Sequence, residues 1–234
     1  MESERSTFQF KHPFTCLLAG PTGSGKTVLL RRLLAQYKIL FTRLPADAMQ
    51  KKLRVLWLHG QSQPLHKVKI HRNVDVTYLE GFPDDQKLDS VLPHLIVIDD
   101  LMNELGKNQD MANLFTKGSH HWNISVVFVV QNLFHQAPVM RTLSLNSHYM
   151  LLMKNTRDRS QIRVLAAQMF PGNTSFLVKA YEDATKDPFS YIRIDHTPDT
   201  PDHLRVQAQL TKAEGYKRAF APVVYTPIDY SHNG

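Results

Sequence analysis

A glycine-rich segment near the N-terminus has the residue types and spacing that bind phosphate. It consists of Gly20, Pro21, Thr22, Gly23, Ser24, Gly25, Lys26 and Thr27. Its glycines let backbone N–H groups converge on phosphate oxygens, and Lys26 is expected to reach the β and γ phosphates. The hydroxyl of Thr27 is expected to bind Mg2+. The spacing therefore predicts a phosphate-binding loop, or P-loop.

The residues on either side of this loop predict the elements that must position it. Residues 14–19 form a short apolar run, and from Thr27 onward apolar residues recur at helical spacing as far as Tyr37. A strand, a glycine-rich loop and a helix in this order place phosphates at the helix N-terminus. A glycine turn without a ligand is a poor alternative in this setting.

Two carboxylates follow the apolar run 95–98 directly. Such a run is typical of a strand covered by helices on both faces, and ligands of these sheets bind at the carboxyl ends of the strands. We therefore expect Asp99 to bind Mg2+ as a Walker B aspartate, and Asp100 to activate the attacking water. The alternatives are a turn role for Asp99 and an N-cap at Asp100 for the segment that starts at Leu101.

A second apolar run, 124–130, ends at Gln131. An amide at that position can hydrogen-bond both the attacking water and a γ-phosphate oxygen, so Gln131 is expected to sense hydrolysis. In ATPases of the additional-strand class, this strand lies between the P-loop strand and the Walker B strand. We expect the same order here, in a mostly parallel central sheet flanked by helices.

Other segments predict further elements and one α/β domain, since 234 residues suffice for one such domain with a buried core. Further strands are predicted at 55–58, 74–79, 149–153, 176–180 and 191–194, and helices at 109–121, at 158–170 and from about Asp84. Prolines without a clear period follow Asp195 and indicate an extended C-terminal tail. The predicted division is a lead-in over 1–13, an ATPase domain over 14–195 and a tail over 196–234.

Composition narrows the partners and the compartment. There are 28 Lys and Arg against 21 Asp and Glu, a net charge of +7 that favours an anionic partner such as nucleic acid. Cys16 is the only cysteine, so we expect a packed thiol in a reducing compartment. The histidines, including the pair at 120–121, show no metal-site spacing. No apolar run could span a bilayer, so we expect a soluble intracellular protein without a membrane partner.

Motifs along most of the chain resemble the FtsK/HerA superfamily, specifically the genome-packaging ATPases of poxviruses, Polintons and adintoviruses. The resemblance rests on the P-loop and on the segments 95–100, 129–135, 141–146 and 154–158, in the order that this family uses. It implies a RecA-like P-loop NTPase fold. The absence of an Asn-Lys-x-Asp guanine motif favours ATP over GTP.

The resemblance also implies a motor that forms a ring of five or six copies and moves double-stranded DNA into a capsid at a vertex. Such rings complete each nucleotide site with an arginine from the neighbouring subunit. Arg157 and Arg159 resemble the region of that arginine, and Arg141 is the reserve candidate. A solvated helix start or a contact with DNA phosphates are the alternatives. The implied location is the infected host cell and the virion.

Contact with DNA is expected to be independent of sequence, because a motor must move along any sequence and therefore grips phosphates. The segment 134–144, which follows the Gln131 strand, is the candidate for the pore loop. Two other functions stay open at this stage. A small-molecule kinase of the nucleotide kinase type predicts an arginine-rich lid and no stimulation by DNA. A nucleotide-dependent virion scaffold predicts that Asp100→Asn or Gln131→Ala leaves function intact.

Overall fold

The central feature of the computed structural model is a nine-stranded sheet with helices on both faces. The structure describes residues 8–61, 64–83, 88, 90–101, 122–133, 138–211 and 222–227. The strands are β1 Phe10–Lys11, β2 Thr15–Ala19, β3 Phe41–Thr42, β4 Leu53–His59, β5 Val74–Glu80, β6 Leu95–Asp99, β7 Ser125–Val130, β8 Tyr149–Met153, β9 Tyr191–Asp195, β10 Val206–Ala208 and β11 Val223–Tyr225. The helices are α1 Lys26–Ala35, α2 Tyr37–Leu40, α3 Ala46–Gln50, α4 Pro138–Asn146, α5 Ser160–Met169 and α6 Thr174–Ala184, with short 3-10 helices at Pro64–Lys67 and Asp202–Leu204.

The strand order in this sheet is β11-β10-β9-β8-β2-β7-β6-β4-β5. Neighbouring strands are parallel throughout one part of the sheet, which consists of β8, β2, β7, β6, β4 and β5. The strands β9, β10 and β11 extend the sheet beyond β8, and each pairs antiparallel with its neighbours. β7 pairs with β2 on one side and with β6 on the other. The strand order expected of the additional-strand class is therefore confirmed, and β1 and β3 form a separate two-stranded sheet.

Both faces of the sheet are buried, which explains why its central strands read as continuous apolar runs. Successive residues such as Leu17 and Leu18 belong to two different hydrophobic clusters, one on each face. Burial of each such side chain contributes about 1.5–3 kcal/mol. Cys16 lies in one of these clusters, and its burial raises the pKa of the thiol to about 12. The packed thiol predicted from the sequence is confirmed.

Most of the predicted elements are present, and one strand prediction is wrong. The segment 176–180 lies within helix α6. Its apolar residues continue at helical spacing beyond that segment, and the side chains of Leu177, Ala180, Tyr181 and Ala184 form one buried face. A window of five residues was too short to show this period. The predicted helix at 109–121, the helix start near Asp84 and the histidines at 120–121 lie outside the described residues.

Within the predicted C-terminal tail, two short strands join the central sheet. β10 pairs with β9, and the side chains of Val206, Ala208 and Leu210 are buried. β11 pairs with β10 in turn. Neither strand was predicted, because three residues carry too little alternation to be recognised as a strand. The domain division remains a prediction, but the sheet continues past Asp195.

None of the described helices is long and apolar enough to cross a membrane.

Candidate functional site

The P-loop connects the end of β2 to the start of α1 in a conformation that needs glycine. Gly23 and Gly25 have φ angles of 79° and 96°, in the left-handed region that glycine adopts readily. Gly25 precedes the first residue of α1, and its carbonyl accepts a hydrogen bond from Leu29 N at 2.8 Å. Gly20 packs against β8, since a Cβ added there would lie 2.6 Å from Cβ of Met153. The backbone is therefore shaped and packed as an anion-binding helix start.

Lys26 folds back over this loop. Its Nζ donates hydrogen bonds to the carbonyl oxygens of Gly20 at 2.5 Å and Pro21 at 3.0 Å. Burial lowers the pKa of the ammonium group, and the negative charges of Asp99 and Asp100 oppose that shift. The cation thus lies in the field of both carboxylates, next to the backbone that would hold phosphate.

Asp99 is the last residue of β6, and it is buried. Burial raises the pKa of its carboxyl group, while a hydrogen bond from Trp57 and the charge of Lys26 favour the ionised form. The donor is Nε1 of Trp57, 3.4 Å from Oδ2 of Asp99. A buried carboxylate with a raised pKa gains most from a nearby cation, so the position suits a divalent ion.

The donor set fits Mg2+, because carboxylate and hydroxyl oxygens are the ligands that this ion prefers. Asp99 supplies a carboxylate at the end of β6, and Thr27 supplies a hydroxyl in the first turn of α1. Within the described ranges, no cluster of three or more His, Cys, Asp or Glu could hold a metal. Mg2+ commonly binds through one or two protein ligands together with substrate phosphates, so this pair is sufficient for such an ion.

Asp100 and Gln131 meet at the ends of neighbouring strands. Nε2 of Gln131 donates a hydrogen bond to Oδ1 of Asp100 at 3.2 Å, and both side chains are exposed. Asp100 has a φ of 59°, which is uncommon for a residue other than glycine. Its carbonyl lies so close to Gly60 that a Cβ there would be 2.7 Å away. Uncommon backbone conformations of this kind cluster at active sites. The pair is exposed to solvent at the carboxyl ends of β6 and β7.

The arginine segment, residues 154–159, leaves β8 on the other side of the P-loop. Oδ1 of Asn155 accepts hydrogen bonds from the backbone N–H groups of Arg157 at 3.0 Å and Asp158 at 3.1 Å. The side chain of Arg157 is exposed and has no partner among the residues that the structure describes. Arg159 forms an exposed ion pair with Glu182, at 3.4 Å. The structure thus fixes the backbone of this segment and leaves one guanidinium group available.

Arg141, the reserve candidate, lies on α4 with an exposed side chain. Residues 134–137 of the predicted pore segment fall outside the described residues. No feature of the described part of α4 links Arg141 to the P-loop.

A hydrogen-bonded bridge that the sequence did not reveal connects the two sides of the site. Oε1 of Gln161 accepts a hydrogen bond from the backbone N–H of Leu133 at 3.0 Å, two residues after Gln131. Nε2 of Gln161 donates to Oδ2 of Asp158 at 2.8 Å. Hydrogen bonds from Ser160 and Gln161 lower the pKa of Asp158. The bridge joins residues 28 positions apart, so no local pattern could have predicted it.

The sequence matches a known family over residues 4–169, the family described as Poxvirus A32 protein. This match covers well over half of the chain. The chain belongs to the poxvirus A32 protein family. Among curated protein sequences, none matches it.

Solved structures of a virus protein share the fold of this A32 family member. The DNA-packaging ATPase B204 from Sulfolobus turreted icosahedral virus superposes with a TM-score of 0.51 at 11% identity, covering 94% of this chain and 100% of B204. The genome packaging NTPase B204 from Sulfolobus turreted icosahedral virus 2, in complex with sulfate, gives 0.51 at 10% identity, with 94% and 98% covered. At these identities, the similarity shows a common fold.

Proposed function

We propose that this A32 family member is a Mg2+-dependent ATPase that drives double-stranded DNA into a viral capsid. One observation carries the proposal: a P-loop lysine, a buried carboxylate and a paired carboxylate and amide come together at the ends of adjacent strands. Membership of the A32 family and the fold shared with B204, which is named as a genome packaging NTPase, support the same function.

In this proposal, each residue of the site has a separate role in phosphoryl transfer. The loop from Gly20 to Thr27 binds the phosphates of ATP, and Lys26 stabilises charge on the β and γ phosphates. Thr27 and Asp99 would hold Mg2+, which would neutralise charge at the phosphates when bound. Asp100 accepts a proton from the attacking water, and Gln131 orients that water.

The arginine segment favours a ring in which neighbouring subunits share each nucleotide site. An exposed guanidinium group on an ordered backbone can reach a neighbouring subunit, so Arg157 is the better placed of the two candidates for acting in trans. Arg159 is already paired with Glu182. The partners in this proposal are further copies of the chain in a ring of five or six, capsid vertex proteins, and DNA bound through its phosphates. The net charge of +7 suits this last partner.

The test is ATP hydrolysis with and without long double-stranded DNA, first at low salt and then across a salt series. DNA should stimulate hydrolysis, and stimulation should fall steeply as salt rises, because phosphate contacts release counterions. Lys26→Ala provides the inactive control. A hydrolysis rate that is the same with and without DNA at every salt concentration would contradict the motor function. Transfer of phosphate to a nucleoside monophosphate would favour the kinase function.

A further inference from the structure

One aromatic side chain beside the P-loop has an unusual combination of features. Phe189 lies in the segment between α6 and β9, two residues before β9 begins. Its side chain is 64% exposed, and its φ of 61° lies in the left-handed region. A bulky residue with this backbone conformation is an outlier, and such conformations cluster at ligand sites.

The ring of Phe189 lies against the last glycine of the P-loop. A Cβ placed on Gly25 would lie 3.1 Å from Cδ1 of Phe189 and 3.4 Å from its Cβ. Gly25 immediately precedes α1, where the N–H groups that bind phosphate converge. The exposed ring is therefore next to the backbone that would bind the phosphates, and close to where the rest of a bound nucleotide would extend from the loop.

Hydrogen bonds fix the segment that carries this ring. The backbone N–H of Lys154 donates to the carbonyl of Ser190 at 3.0 Å, and Nζ of Lys154 donates to the carbonyl of Lys186 at 2.5 Å. Oγ of Ser190 donates to the carbonyl of Asp187 at 2.5 Å. The backbone that carries the ring is therefore anchored on both sides of Phe189, beside β8, before any ligand arrives.

The order of the strands fixes the direction in which a nucleotide extends. In the proposed function, Asp99 and Gln131 act at the terminal phosphate, through Mg2+ and the attacking water. They lie at the ends of β6 and β7, on one side of β2. A phosphate chain that enters the P-loop from that side would direct the base toward the opposite side of β2. There β8 ends and β9 begins, and Phe189 lies at that end of β9.

We propose that the ring of Phe189 is the platform on which the base of the bound nucleotide stacks. This inference rests on the proposed function, because it assigns the base end of the same nucleotide site. Stacking requires only the flat face of a base, so it accepts adenine and guanine alike and does not select ATP over GTP. Selection between those two must come from groups at the edge of the base.

The test compares nucleotide and bare phosphate binding by calorimetry, using the non-hydrolysable analogue AMP-PNP with Mg2+ and inorganic tripolyphosphate. Phe189→Ala should weaken AMP-PNP binding roughly 5- to 150-fold, the range for loss of one base–aromatic stack, and leave tripolyphosphate binding unchanged. Phe189→Tyr keeps an aromatic ring and should bind AMP-PNP as the wild type does. Ile39→Ala, which removes a similarly exposed apolar side chain from α2, is the matched control.

The outcomes separate this inference from the proposed function. If the wild type binds neither probe, the nucleotide site itself is wrong. If Phe189→Ala binds AMP-PNP as tightly as the wild type, the platform is overturned while the site stands. Equal weakening of both probes would also overturn it, because the ring would then support the P-loop and not the base.

Discussion

The two sides of the P-loop differ in how much of the nucleotide site one chain supplies. On the β6–β7 side, Asp99 is buried and accepts a hydrogen bond from Trp57, while Gln131 is bonded to Asp100. On the β8 side, Asn155 accepts hydrogen bonds from the backbone of the arginine segment, but the guanidinium group of Arg157 forms no hydrogen bond or ion pair with the residues that the structure describes. One side is assembled within the chain, and the other presents its charge outward.

In the proposed ring, this difference marks the side at which a second subunit would act. Water activation requires groups held at fixed distances before the reaction, and the proposed function assigns that role to the hydrogen-bonded pair on the β6–β7 side. In that ring, the exposed guanidinium group of Arg157 would be available to a neighbour and would connect hydrolysis in one subunit to the position of the next. Gln161 joins the two sides through Leu133 and Asp158, so a shift at one side can reach the other.

The largest expected effect comes from removing the groups that act on the phosphates. Lys26→Ala should abolish hydrolysis, and Arg157→Gln should lower kcat by about 1,000-fold, the lower end of the range for an arginine finger. If Arg157 acts in trans, mixing the two inactive variants should restore part of the activity. Some interfaces in mixed rings would then pair an intact P-loop with an intact arginine. The measurement is steady-state ATP hydrolysis across mixing ratios.

Two matched variants serve as controls for this experiment. Arg163→Gln removes an exposed arginine from α5, and Arg159→Gln breaks an exposed ion pair that contributes at most about 1 kcal/mol. Both should retain most of the activity. Mixtures that stay inactive at every ratio would contradict the action of Arg157 in trans, and the contrast between the two sides would fail.

A smaller effect is expected on the assembled side. Asp100→Asn should lower kcat by about 100-fold or more, and Gln131→Ala by a smaller factor, because in the proposed function one group accepts the proton and the other orients the water. Nucleotide affinity should be nearly unchanged in both, since neither residue belongs to the P-loop. Single-turnover hydrolysis together with AMP-PNP binding separates the two quantities. Unchanged kcat in both variants would instead favour the virion scaffold.

The smallest expected effect is on the stability of the fold that positions both sides of the P-loop, and it depends on pH. Burial lowers the pKa of His12 to about 4, and its Nδ1 lies 2.7 Å from Oγ of Ser125. The histidine stays neutral in the folded protein but becomes protonated near pH 6.5 when unfolded. The contribution of neutral His12 to the free energy of unfolding is complete above pH 6.5. It is lost as pH falls toward 4, and the loss amounts to as much as about 3 kcal/mol.

Urea unfolding at pH 7.5 and pH 5 measures this loss, and ATP hydrolysis at the same pH values shows whether activity falls before the fold does. His12→Gln should reduce the pH dependence of the free energy of unfolding. Because burial also lowers the pKa of His196 to about 4, part of that dependence should persist in the variant. A free energy of unfolding that is equal at both pH values would contradict the assignment.

Much of the fold followed from local patterns in the sequence. The runs at 95–98 and 124–130 predicted buried parallel strands, because a strand covered on both faces has few polar positions. The strand prediction at 176–180 failed, since five residues, four of them apolar, fit a strand and a helix equally until Tyr181 and Ala184 extend the helical period. The strands β10 and β11 escaped notice because each spans three residues.

The sequence by itself was enough to select the candidate residues of the P-loop and of the β6–β7 side: the glycines and Lys26 are adjacent in the chain, and each carboxylate or amide follows a recognisable strand. The tertiary structure alone decided that Asp100 and Gln131 touch, that Trp57 holds Asp99, and that Gln161 bridges to the arginine segment. It also brought Phe189 against Gly25, across more than 160 residues of chain. These contacts depend on strand order and side-chain direction, which only the folded chain specifies.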